Sequence, residues 1–334
     1  MHYRCFYHRV LLFYLAAASL TACSFFNRNT SEEQVYTLMS YNTQTFFDAV
    51  ENGSEFAAFK GSKSKWSTQK YQMRLDRLVK TVQHMGETLS HQQTVPDIVV
   101  LQEVENAQVI EDFCKKLSAE NCYPYALCCP APEQQALTTA LLSKHPIEYF
   151  YIHSLHAETA DSAVRPLIEA LINIGTKDKK QLLTVFSVHW KSKAREKNPE
   201  SVRRLQEKQL MQKLAAHRAQ HPDIPFIVCG DFNQPLDECT ELQNIAVCWD
   251  MEAYRTAVEE GLQPAGSYYF HNTWEKIDHI FYSKKGKDSS GIDLKAFLLL
   301  YEAPLVEHSI PVSYNVFNGS GYSDHLPLGI QFSL

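Results

Sequence analysis

The chain has 334 residues, 45% hydrophobic and 21% charged, the balance of a packed globular protein. That composition excludes a disordered chain, a collagen-like repeat and a multi-pass membrane protein, and nine cysteines are too dilute for a small disulfide-stapled scaffold. With a net charge of −6 there is no global positive field to recruit nucleic acid or anionic membrane, so a polyanionic ligand would need a local basic patch, a metal, or both.

Arg4 and Arg9 precede an uncharged run from Val10 to Ala22. The run is too short for a bilayer core, which takes about 20 helical residues, but it suits the apolar region of a signal peptide. It ends Leu20-Thr21-Ala22-Cys23, which resembles the lipobox of bacterial lipoproteins. The resemblance implies removal of residues 1–22, lipidation of Cys23, and a polar tether over residues 23–34 leading to a domain over 35–334. The expected location is the bacterial cell envelope, held by lipid to its inner or outer membrane; an ordinary cleaved signal with an incidental cysteine is the alternative. Cys114, Cys122, Cys128, Cys129, Cys229, Cys239 and Cys248 then remain, an odd number that leaves a thiol unpaired unless it bridges to another chain.

Beyond the tether, strands alternate with helices, and no second linker or internal repeat appears. Val35–Tyr41 reads as a strand. Tyr71, Leu75, Leu78, Val82, Met85 and Leu89 step by four and three, the apolar stripe of an amphipathic helix. Pro96 stops it, and Asp97–Leu101 is a short buried-strand run. Val104–Leu117 predicts a second helix and Val202–Ala219 a charged outer one. Thr138–Ser143, Arg165–Ile174, Leu182–Val188, Phe226–Cys229, Trp274–Ser283, Leu294–Leu300 and Leu326–Phe332 read as further strands. His84, His91, His217 and His221 fall on helix faces or ends and read as solvated. One α/β domain with two packed sheets is the expectation.

Polar residues stand just past several of these strands: Asn42, Glu103, His189, Asp231 with Asn233, Asp278 with His279, and Asp324 with His325. Apolar runs that each deliver a carboxylate, amide or imidazole at their ends suggest one convergent site. Three Asp, a Glu and at least two His, with no thiol ligand, suit a hard cation such as Mg²⁺ rather than structural Zn²⁺. Metal, Asp and His together can activate water and protonate a leaving oxygen. Each residue also has a plain structural alternative: a helix-start carboxylate for Glu103, turn residues for Asp231 and Asn233, a cross-strand pair for Asp278 and His279. In a regular strand only one of Asp278 and His279 can face a site, and Asp278 is assigned inward.

The motifs Tyr41-Asn42, Leu101-Gln102-Glu103, Ser187-Val188-His189, Gly230-Asp231-Phe232-Asn233, Ile277-Asp278-His279 and Ser323-Asp324-His325 resemble, in order, those of the endonuclease/exonuclease/phosphatase superfamily. That group includes deoxyribonuclease I, exonuclease III and neutral sphingomyelinases. Leu101–Asn106 and His189–Lys193 look like its bacterial extracellular and lipoprotein nuclease branch. The resemblance spans about residues 35–334 and implies a four-layer α/β sandwich, two packed mixed β-sheets flanked by helices. It also implies metal-binding roles for Asn42, Glu103 and Asp324, with Mg²⁺, or else Mn²⁺ or Ca²⁺, as the ion. Asp231 would orient or deprotonate the attacking water and Asn233 donate to the phosphate. His325 would stabilise phosphoryl charge, held by Asp278, and His189 would assist the leaving group. Three positions depart from the pattern: Thr45, where Asn is frequent; Gln135–Ser143, which lacks an Arg-Gly pair that contacts phosphate; and Gln234-Pro235.

Residues 189–208 hold Lys191, Lys193, Arg195, Lys197, Arg203, Arg204 and Lys208 against Glu196, Glu200 and Glu207, a basic strip beside His189. Lys191 and Lys193 are the expected phosphate contacts, and nucleic acid the expected substrate of a metal-dependent phosphodiesterase. No protein partner is implied and a monomer is expected. A sphingomyelinase-like lipid phosphodiesterase would share every catalytic residue and would be marked by an exposed apolar hairpin, which the sequence does not suggest: Tyr268, Tyr269, Phe270 and Trp274 read more simply as continuing into the strand of Asp278. A non-catalytic surface-binding lipoprotein is the reading from another class.

Overall fold

The computed structural model describes residues 33–334 apart from 91, 132–134, 155–163, 177–178, 194–198 and 288. The signal-peptide and Cys23 expectations, and those for His91, Arg195 and Lys197, lie outside the described residues.

The first sheet has the order β13-β16-β1-β2-β4-β3, built from β1 (Tyr36–Phe46), β2 (Ile98–Val104), β3 (Tyr125–Cys128), β4 (Thr138–Ser143), β13 (Asp293–Leu299) and β16 (Leu328–Ser333). The second has the order β5-β6-β7-β8-β12-β9, from β5 (Ile147–His153), β6 (Leu167–Asn173), β7 (Leu182–His189), β8 (Phe226–Asp231), β9 (Ala246–Val247) and β12 (Asp278–Tyr282). Each sheet has one parallel pair near its centre, β1 with β2 and β7 with β8, among antiparallel neighbours. A parallel pair needs a crossover, and both crossovers are helical. α1 (Thr68–Leu89) joins β1 to β2; α2 (Ala107–Lys116) follows β2; α3 (Pro199–Gln220) joins β7 to β8. α4 (Glu252–Glu259) and two hairpins, β10 (Tyr268–Phe270) with β11 (Thr273–Glu275) and β14 (Val306–Glu307) with β15 (Ile310–Pro311), complete the elements used below.

The layers follow from apolar patterning. β1, β2 and β4 are buried almost throughout, as strands covered on both faces must be, and β1 and β2 pack on β8 while β4 packs on β7. α1 buries the expected stripe from Tyr71 to Leu89 against the first sheet, and Ser67 caps it by accepting from the Lys70 N–H. On the outer face of the second sheet, α3 buries Leu210, Leu214 and His217. His217 sits edge-on to Phe186 and Phe226, and its ring bonds the Ile224 carbonyl, so it is a core residue rather than the solvated one expected.

Other boundaries also differ from the sequence reading. Val104 is the last residue of β2, and the helix after it starts at Ala107, because the Asn106 side chain accepts from the Val109 N–H and fixes the N-terminus there. The stretch Trp274–Ser283 is not one strand; it divides into β11 and β12, and β11 turns back on β10.

Candidate active site

The topology explains why the polar residues converge. Asn42 and Glu103 lie at the carboxyl ends of the first parallel pair, His189 and Asp231 at those of the second. Open parallel strands present ligand sites at that end. β12 and β16 run antiparallel to their neighbours, so Asp278, the first residue of β12, and His325, just before β16, reach the same end.

Asp231 is at the centre. It faces Asp278 in the register of β8 and β12 and His189 in that of β7 and β8. The preceding Gly230 has φ +141°, and a Cβ there would lie 1.9 Å from the Val188 carbonyl oxygen, so the close approach that sets Asp231 beside His189 admits only glycine. Asn42 Nδ2 donates to Asp231 Oδ2 at 2.9 Å and to Glu103 Oε1 at 3.4 Å. Asn233 holds the same carboxyl through its backbone N–H at 2.8 Å and its Nδ2 at 3.1 Å. His189 Nε2 stands 3.6 Å from Asp231 Oδ2 and 3.8 Å from Glu103 Oε1. Burial, and then the facing Asp278, push the Asp231 carboxyl up to about 7.

The second half of the site is a relay. His325 Nδ1 and the Ser267 hydroxyl both bond Asp278 Oδ2, at 2.8 and 2.6 Å, and Asp324 Oδ1 is 4.0 Å from His325 Nε2. Burial by itself would lower the His325 pKa, but Asp278, Asp324 and Asp231 outweigh it and raise it well above the usual range. His189 moves the other way: burial, then the charge of Arg165, hold it well below that range. One imidazole is therefore kept charged and the other neutral within one cleft. Burial, with Glu103 and Asp278 nearby, also raises the half-buried Asp324.

His279 points away, as strand alternation requires. Trp249 Nε1 donates to its Nδ1 at 3.0 Å, so Nε2 carries the proton given to the Gln234 carbonyl at 2.9 Å. It is structural.

Three residues of the site are absent from the sequence reading. Arg165, just before β6, donates to the Trp190 carbonyl at 3.3 Å, lies in the field of Glu103, Asp231 and His189, and has a buried Nε with no partner among the described residues. It brings a fixed cation to the cleft although the Gln135–Ser143 stretch lacks its arginine. Ser267 orients Asp278. Arg74, buried on α1, donates to the carbonyls of Thr43, Gln44 and Thr45 and lies over the rings of Phe46 and Tyr314, bracing the turn after Asn42. That turn is left-handed at Gln44 and Thr45, φ 52° and 53°, as are Glu103 and Asn233 at 62° and 49°. The Thr45 N–H donates to Glu103 Oε2 at 2.7 Å.

The basic strip is not a free positive face among the described residues. Lys193 pairs with Glu238 at 3.4 Å and Glu275 at 3.8 Å, Arg204 with Glu200 at 2.5 Å, and Arg203 is buried against Gln234. The backbone of Lys191 is clamped by Gln206 and Arg203. Burial pushes the thiols of Cys128, Cys129 and Cys239 up to about 12, which argues against thiol chemistry at these positions.

Two mixed sheets packed face to face, with carboxylates, amides and imidazoles at one end, define a deoxyribonuclease I-like α/β sandwich. The chain belongs to the endonuclease/exonuclease/phosphatase family, whose profile matches residues 37–306. Truncated TDP2 of Caenorhabditis elegans is similar in fold, at 16% identity over 90% of this chain and 98% of that one, TM-score 0.57. The human nocturnin catalytic domain with bound sulfate is similar at 18% identity, 91% and 98% coverage and TM-score 0.53. An endonuclease/exonuclease/phosphatase protein of Bacteroides vulgatus is similar at 17% identity, 90% and 100% coverage and TM-score 0.54. No curated protein matches the sequence.

Proposed function

We propose that the chain is a divalent-metal-dependent phosphodiesterase that hydrolyses nucleic-acid phosphodiester bonds. The observation that carries it is the meeting, in one cleft, of Asp231, held by Asn42 and Asn233, with His325, held by Asp278. A general base and a general acid in one cleft can activate water and protonate the departing oxygen. Asp231, steered by Asn42 and Asn233, orients the water and takes its proton. As the P–O bond to the leaving group breaks, the charged His325 gives its Nε2 proton to the departing oxygen, and Arg165 balances the phosphoryl charge.

The donor set fits a hard cation. Asp231, Asp278 and His325 present ligand atoms within 4.8 Å of one another, but Asp278 Oδ2 is already shared by Ser267 and His325. The oxygen-rich side, Glu103 and Asp231 with Asn42 beside them and Asp324 nearby, is the better place for Mg²⁺. A divalent ion there would supply Lewis-acid stabilisation of phosphoryl charge and offset the burial and the Asp278 charge that raise Asp231.

The test is incubation with supercoiled plasmid, a single-stranded oligonucleotide and sphingomyelin vesicles, in Mg²⁺ or in EDTA. Mg²⁺-dependent cleavage of nucleic acid, abolished by EDTA, is expected. Release of choline phosphate with intact nucleic acid would move the assignment to lipid, a reading favoured by one observation: contrary to the sequence reading, an exposed aromatic hairpin exists, with Phe270 47% exposed on β10.

The lipid anchor is part of the same proposal and rests on the Leu20–Cys23 motif. Cys23→Ser is expected to move the protein from the membrane to the soluble fraction; unchanged fractionation would refute lipidation.

A further inference from the structure

The hairpin of β10 and β11 has two different faces. Behind it, Tyr269 packs on Trp274 with ring centroids 5.1 Å apart, and Trp274 meets Tyr301 edge-on at 5.9 Å, so the ribbon is buttressed. On the other face the Tyr268 ring lies 4.6 Å from that of His325 at 33° between planes. Phe270 follows Tyr268 at 6.0 Å and 19°, and His271 follows Phe270 at 3.9 Å and 19°. A run of four rings thus leads from the catalytic imidazole to the hairpin tip. Glu275, opposite Tyr268 in the register, pairs with the Lys193 ammonium at 3.8 Å.

We propose that this ladder is a stacking track for unpaired bases, and that the substrate is single-stranded nucleic acid or a single-stranded end leaving the site along β10. The proposal rests on the phosphodiesterase reading above. Aromatic faces are what a strand with free base faces needs, whereas bases within a duplex are already stacked. The turn residues are His271 and Asn272, and a glutamate paired with a lysine stands opposite Tyr268. Burying those groups among acyl chains would be costly, so a charged polymer fits this surface better than a lipid leaflet.

Fluorescence anisotropy of the full chain, with chelator to prevent cleavage, tests this on labelled strands of about 12 nucleotides, within the usual span of a single-strand site. The wild type is expected to bind oligothymidylate about 10-fold tighter than an abasic strand of equal length or a duplex. Phe270→Ala removes that preference, and Phe270→Trp restores it. Equal affinities in the wild type, or a preference that survives Phe270→Ala, would overturn the track. So would Phe270-dependent binding to sphingomyelin vesicles with no preference among the strands. Chelator-sensitive hydrolysis of methyl p-nitrophenyl phosphate, which has no strand to hold, is measured on the same preparation. Its absence would count against the phosphodiesterase reading; its presence without a base preference would count against the track alone.

Discussion

Asp231→Asn is expected to lower kcat for phosphodiester cleavage by about 10³-fold while leaving KM within a few-fold. The amide keeps the size of the carboxyl and can still accept from Asn42, but it cannot take a proton from water. Stability should move in the opposite sense to activity. The carboxyl is raised from an ordinary 3.8 to about 7 by burial and by Asp278, so the stabilisation from its protonation is complete below about 4 and is lost as pH rises through 7. In EDTA the wild type therefore carries a buried, repelled anion at pH 8 that Asp231→Asn lacks, and the variant should melt higher at pH 8 than the wild type but not at pH 4. Mg²⁺ should narrow the gap by stabilising only the wild type. Near-normal turnover in the variant would remove Asp231 from the chemistry. Equal melting temperatures at both pH values would remove the account of its raised pKa.

His325→Ala is expected to cost about 10³-fold in kcat and Asp278→Asn about 10²-fold, without unfolding. The informative readout is the pH profile. His325 faces Asp278, Asp324 and Asp231, which together keep it protonated beyond its usual range, with Tyr268 against its ring and the neutral His189 in the same cleft. Removing the Asp278 charge lets burial pull the imidazole down, so the alkaline limb of the rate profile should move to lower pH. Because Asp278 acts through His325, the double variant should be no slower than His325→Ala alone. Independent, multiplying losses would mean that Asp278 touches the substrate itself.

Much of the site was legible because each of its main residues ends an apolar run: Asn42 within β1 after Leu38–Tyr41, Glu103 near the end of β2, His189 and Asp231 closing β7 and β8. Alternation along β12 correctly sent Asp278 inward and His279 to the core. Arg165 was hidden because it stands before its strand, where its charge looks like an ordinary strand start. The hairpin was hidden for a different reason. Its turn uses His271 and Asn272 with φ 49° and 63°, without the glycine that usually announces such a turn, and only Lys276 and Ile277 part β11 from β12, so those two merge into one apparent strand. α4 has eight residues and no side-chain cap, too little periodicity to stand out. The basic strip holds less free charge than its sequence suggests, because charge counted along the chain ignores partners: Glu238 and Glu275, which pair with Lys193, come from elsewhere in the chain.

The left-handed backbone at Gln44, Thr45, Glu103 and Asn233 has a consequence for heredity. Each such residue costs on the order of 1–3 kcal/mol, and a β-branched threonine is among the least suited to it. Arg74 and the Thr45 N–H to Glu103 bond keep the turn in place. A laboratory lineage selected only for heat resistance should therefore drift towards glycine at Thr45, where the conformation then carries no side-chain penalty. At Gln44 the drift should stop, because its side chain accepts from the Tyr314 N–H at 2.6 Å. A lineage selected for turnover should keep both residues, since a looser turn would let Glu103 wander from Asn42. The two lineages would diverge first within this turn, while the strands beneath it stayed the same.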